Sequence, residues 1–161
     1  MFEDLIDANH RYADDFDLAG LPAKAARQLA VVTCIDSRIE PLAMLGLAPG
    51  DAKILRNAGG RVTDDVLRTL AIATAMLSVS RIAVIHHTAC AMMTTEAELG
   101  GAIAAATGGD ATGWDWGTIG DADTDLAADV ARIRACPLIV AAAVVGWRYD
   151  IATGRLAEVV G

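Results

Sequence analysis

Apolar positions in this chain fall into short dense blocks separated by amphipathic stretches. The dense, β-branched blocks at 28–35, 52–55, 81–86 and 138–148 predict strands buried on both faces. Between them the apolar spacing lengthens to helical periodicity. Helices are predicted over 2–16, with Leu5, Ile6 and Ala13 on the apolar side, over 39–45 closed by Gly46, and over 63–77. Thr63 is the expected N-cap of the third, with Asp64 and Asp65 in its first turn. A fourth helix starts at Thr94 or Thr95 and runs to 107; a fifth covers 121–135 and is stopped by Pro137. The stretch 108–120 is turn-rich. Residues 149–155 turn the chain back into a last strand, 156–160.

Strands alternating with helices predict one α/β domain over 1–161, with residues 1–28 as an N-terminal helical arm. The central sheet is expected to be mainly parallel, order 2-1-3-4, with helices on both faces. The last strand, joined by a tight turn, should add an antiparallel C-terminal edge.

Composition changes this picture in one respect. Of the 161 residues 54% are hydrophobic but only 4% aromatic, so the core must be built from Ala, Val, Leu and Ile. That is more apolar surface than a small domain hides easily, and no apolar run reaches the roughly 18 residues of a membrane span. A subunit interface is the expected outlet. The net charge of −8, without a basic cluster, excludes a nucleic-acid surface. The first five residues, Met1 to Leu5, lack the basic-then-apolar plan of a signal peptide. Three cysteines, an odd count, suit thiolates used for metal in a reducing cytoplasm better than a disulfide framework.

Two strings carry the candidate chemistry: Cys34-Ile35-Asp36-Ser37-Arg38 and His86-His87-Thr88-Ala89-Cys90. Together they offer two thiolates and an imidazole, with room for a fourth ligand, the donor set of a catalytic zinc. Each string lies at the carboxyl end of a predicted strand. If those strands are neighbours, both project from one sheet edge at the point where strand order reverses. His87 and Cys90, three apart, suit one turn of chain beginning a helix. Cys34, Asp36 and Arg38 alternate by two and share a face while the chain stays extended.

With these strings placed, the sequence resembles the β-class carbonic anhydrases of the short, minimal type. The resemblance rests on Cys-x-Asp-Ser-Arg at 34–38, Arg-Asn-Ala-Gly-Gly at 56–60 and His-x-x-Cys at 87–90. Gly146-Trp147-Arg148-Tyr149-Asp150 with Thr153-Gly154 extends it to a terminal hairpin. It implies Zn2+ on Cys34, His87 and Cys90, with Asp36 and Arg38 as a catalytic dyad and Asp36 as the fourth ligand of a closed resting state. It also implies Gly59 and Gly60 lining the cavity, and a homodimer or larger even assembly whose leading helix embraces the partner subunit. The implied reaction is reversible hydration of CO2 by a zinc-bound hydroxide. Alternatives on the same scaffold are hydrolysis of COS or CS2 and a catalytically silent zinc-binding dimer. Ala91 stands where the family has glycine, and its methyl is expected to shift the backbone or narrow the cavity.

The remaining candidates have plainer readings. His86 is read as a strand-end residue satisfied by backbone, His10 as an exposed helix residue and Cys136 as a small core residue. Trp114 and Trp116 can cap either the pocket or the core. Gly59-Gly60 before a helix suggests phosphate binding only in form, because no P-loop lysine follows.

Overall fold

The computed structural model describes residues 1–161. Five strands, β1 (Leu29–Cys34), β2 (Ala52–Asn57), β3 (Arg81–His87), β4 (Ala143–Asp150) and β5 (Arg155–Val160), form one sheet in the order β2-β1-β3-β4-β5. The first four run parallel and β5 pairs antiparallel with β4, as the alternation and the tight turn predict. Five helices accompany them: α1 (Glu3–Asp14), α2 (Pro41–Met44), α3 (Asp64–Met76), α4 (Glu96–Thr107) and α5 (Ala122–Ala135).

The main core lies where α3 and α5 cover one sheet face. Val66, Leu70 and Ala73 of α3, with Leu126, Val130 and Ile133 of α5, meet Ala30, Val32, Ile82, Val84 and Val144 from the strands. Alternation sends Val31, Ala83 and Ile85 to the other face, which only α2 and its flanking loop begin to cover. There Ile54, Val145 and Trp147 stay half-buried. Helix α1 buries none of its residues.

The caps follow the sequence. Thr63 accepts from the Val66 N–H at the start of α3, and Thr95 and Glu98 form a reciprocal capping box on α4. The block at 138–148 is corrected: β4 begins only at Ala143. Its neighbour β3 starts at Arg81, directly opposite Ala143, so residues 138–142 have no strand to pair with, and Leu138 and Val140 are exposed. Likewise β2 runs on to Asn57 because Cys34 of β1 extends far enough to pair with it.

Candidate metal centre

Strands β1 and β3 are hydrogen-bonded neighbours, so their carboxyl ends bring Cys34 and His87 to one edge. Cys90 arrives by a tight turn through Thr88 and Ala89, not by the opening of a helix; α4 starts six residues further on. Ala89 takes the left-handed conformation, φ 53°, to make that turn. The turn is pinned to the hairpin: Thr88 N–H donates to the Tyr149 carbonyl (3.0 Å), and Ile151 N–H donates to Thr88 Oγ1 (3.0 Å).

The donor atoms of Cys34, His87 and Cys90 all lie within 4.8 Å of one another, and all three residues are buried. The two Sγ atoms are 3.9 Å apart. Two thiolates on one tetrahedral zinc, with Zn–S near 2.3 Å, would sit about 3.8 Å apart. His87 Nδ1 donates to the Thr88 carbonyl (2.9 Å), which leaves Nε2 as the free acceptor. That Nε2 is buried and has no hydrogen-bond partner. Burial lowers the His87 pKa and so favours the neutral ring a metal needs. The residues present therefore fit zinc.

Asp36 and Arg38 form a bidentate pair, Nε to Oδ1 at 2.9 Å and Nη2 to Oδ2 at 2.6 Å. These bonds, with the Arg38 backbone N–H on Oδ1 (3.0 Å), hold the Asp36 carboxyl well below the usual carboxylate range. Arg38 also donates to the Ala89 carbonyl (3.1 Å), tying the first string to the second. Asp36 Oδ2 lies 3.9 Å from His87 Nε2, so the carboxylate stands beside the metal position while engaged with Arg38. Behind it Arg56 donates to the carbonyls of Cys34 (3.0 Å) and Asp36 (2.7 Å).

A sequence profile of the carbonic anhydrase family matches residues 29–114. Beta-carbonic anhydrase 1 of Mycobacterium tuberculosis is 37% identical over 159 residues, 98% of this chain and 96% of the relative. The chain belongs to the β-carbonic anhydrase family. A solved carbonic anhydrase from Streptococcus mutans superposes with a TM-score of 0.91 at 42% identity, covering 98% of this chain and 96% of that one. A carbon disulfide hydrolase of Acidianus is 38% identical over 96 residues, 58% of this chain and 46% of its own.

In this β-carbonic anhydrase one glycine behind the ligands has a steric reason. Gly60, at φ 69°, packs its Cα against the backbone of β1: a Cβ would lie 2.9 Å from the Thr33 carbonyl carbon and 3.0 Å from the Cys34 nitrogen. Gly60→Ala is therefore expected to cost about 2 kcal/mol or more, from left-handed strain plus displacement of the Cys34 peptide. A urea midpoint unchanged from wild type would count against this. Ala91 is exposed and its φ is outside the left-handed region, so its methyl imposes no backbone shift.

Several residues gain roles that their sequence did not announce. His86 is not satisfied by backbone: its Nε2 lies 3.2 Å from Asp129 Oδ2 of α5, both side chains buried. Arg56 enters the sequence reading only within the 56–60 motif and without a role, and no sequence motif marks Arg61 or Asp129. Asp129 carried a readable signal, a carboxylate on the apolar stripe Leu126-Asp129-Val130-Ile133. Trp114 and Trp116 stack at 5.3 Å and wall an open surface hollow of about 440 Å³ with Gly100, Ala104 and Asp110; none of the metal-site donors lines it. Cys136 is half-exposed and His10 exposed.

Burial pushes the Cys90 thiol up to about 11, with Cys34 beside it acting in the same direction. In the metal-free family member Cys90 is thus protonated at neutral pH, and a metal must displace that proton. Proton competition falls tenfold for each pH unit gained below the thiol pKa. Zinc affinity is accordingly expected to tighten at least about tenfold from pH 7 to pH 8. Competition against a chromophoric chelator measures this, and a flat profile would contradict it.

Proposed function

We propose that this chain hydrates CO2 reversibly to bicarbonate, with zinc on Cys34, His87 and Cys90. The observation that carries the reading is the buried two-thiol, one-imidazole triangle flanked by the Asp36–Arg38 pair. Zinc, when bound, supplies a Lewis acid that makes water a nucleophile near neutral pH. The side chains provide the rest. Asp36, ionised and acceptor-only, accepts the proton of the attacking water in a hydrogen bond and so aims its lone pair. Arg38 fixes both carboxylate oxygens, and Arg56 fixes the backbone that carries them. Ile39, Met92 and Ile119 pack around the two thiols and give an apolar wall suited to a small nonpolar substrate. Engagement of Asp36 with Arg38 supports an open site over a permanently closed, silent one.

Phe2 at the start of α1 and the exposed apolar residues Leu5, Ile6 and Tyr12 on it support a homodimer in which α1 embraces the partner. The half-buried sheet face around Ile54 and Trp147 points the same way. Thiolate ligands suit a reducing cytoplasm. No helix is long and apolar enough to cross a membrane.

Similarity to a carbon disulfide hydrolase favours one second reading, hydrolysis of CS2 or COS at the same site. Stopped-flow CO2 hydration by zinc-loaded protein, scanned from pH 7 to 9, tests the first. A rate rising with pH is expected. Sulfide release from CS2 with slow CO2 turnover would favour the second, and full zinc occupancy with neither activity would remove both.

A further inference from the structure

We propose that Arg61 is a positioning residue for the metal centre: by gripping the 117–118 carbonyls it holds Ile119 against the two thiols and sets how tightly zinc is bound. This rests on the zinc reading above.

The Arg61 guanidinium uses its donors in four directions. Nε donates to Asp129 Oδ2 (2.8 Å) and Nη2 to Asp125 Oδ1 (3.3 Å), both on α5. Nη1 donates to the carbonyls of Thr118 (2.7 Å) and Gly117 (3.3 Å). Thr118 is also held from the opposite side, since its N–H and hydroxyl donate to Glu96 of α4. A segment clamped this way has little freedom in where it delivers the next residue.

That next residue is Ile119, which is buried in one cluster with Cys34, Cys90, Ile39 and Met92. Its N–H donates to the Met92 carbonyl (2.8 Å), two residues beyond Cys90. The Arg61 stem reaches the same spot. A Cβ on Gly59 would meet Arg61 Cγ (3.3 Å), Met92 Cγ (3.3 Å) and Ile119 Cδ1 (3.4 Å), so these three side chains converge over Gly59, and two of them, Met92 and Ile119, belong to the cluster around the thiols. The second metal string is reached as well. Asp129, held by Arg61, pairs with His86, the residue before His87. One guanidinium thus braces Cys90 through Ile119 and Met92, and His87 through Asp129 and His86.

A buried ion pair is weak evidence for a stabilising role, because apolar replacements of similar size are often as stable. The geometry points instead to placement, and the two roles are separable. The double variant R61M/D129L removes the guanidinium together with its buried partner and leaves the partly exposed Asp125 to water, so the fold is expected to persist while the 117–118 carbonyls lose their donor. R61K keeps the charge, but one ammonium cannot serve two carboxylates and two carbonyls. Val66→Ala, on the core-facing side of α3, is the control for destabilisation alone.

Zinc dissociation constants from chelator competition, the absorption bands of the cobalt-substituted protein, and Tm are read for each. The expected result is zinc binding weakened ten- to hundredfold in R61K and R61M/D129L, with shifted cobalt bands. V66A should lose Tm yet hold zinc within twofold of wild type. Unchanged zinc affinity and cobalt bands in R61M/D129L would overturn the proposal, as would zinc affinity lost by V66A in the same proportion to Tm as by the Arg61 variants. A wild-type chain that takes up no zinc would remove the metal-centre reading itself, and this inference with it.

Discussion

Replacing His87 by alanine is expected to strip the protein of tightly held zinc and to lower CO2 hydration at least about a thousandfold, some 4 kcal/mol of barrier. The imidazole is the sole nitrogen donor in the triangle, and its Nε2 is the buried atom left without any protein partner. Its ring is held for the task, with Nδ1 engaged by the Thr88 carbonyl and Thr88 pinned in turn to Tyr149 and Ile151. Without it two buried thiols remain, and Cys90 resists ionisation because burial raises its pKa. Elemental analysis after dialysis, alongside stopped-flow rates, checks this. One zinc per chain together with wild-type turnover in His87→Ala would place the metal elsewhere.

The parts of this site legible in sequence are those that depend on local pattern and on topology. Dense β-branched runs ending in Cys34 and His86-His87 place both strings at strand ends, and the parallel order brings the ends together. Thr63 is a recognisable cap because its role involves only the next three residues. What escaped depends on contacts between distant segments. Whether residues 138–142 join a strand is decided by where β3 begins, which periodicity in that block does not encode. The turn at Thr88-Ala89 is hidden because alanine is not a residue that advertises a left-handed backbone. In sequence His86 reads as an ordinary strand end because its partner, Asp129, lies 43 residues away. Arg61 is the clearest case. Its neighbours in sequence give no sign of a guanidinium that joins α5, the 117–118 carbonyls and the wall behind Cys90.

Asp36→Asn is expected to leave zinc in place and to cut turnover between a hundred- and ten-thousandfold, the range for removal of a positioned proton acceptor. Asp36 is not among the three clustered donors, so zinc is expected to stay bound without it. Its proposed contribution is a negative, acceptor-only oxygen beside the metal position, held there by the Arg38 fork. An amide of the same shape presents one oxygen and one N–H group, so half of its orientations turn a donor toward the water it should receive from. The pH profile separates this role from that of a metal-site base. Arg38 depresses the Asp36 pKa far below neutrality, so the carboxylate stays charged throughout the working range and loses its proton-accepting role only in strong acid. Wild type and Asp36→Asn should therefore show rates that rise with pH along parallel curves between pH 7 and 9, the variant displaced downward. If the variant instead kept full turnover, or lost zinc along with activity, Asp36 would be either idle or a ligand, and the division of labour between metal and dyad would have to be redrawn.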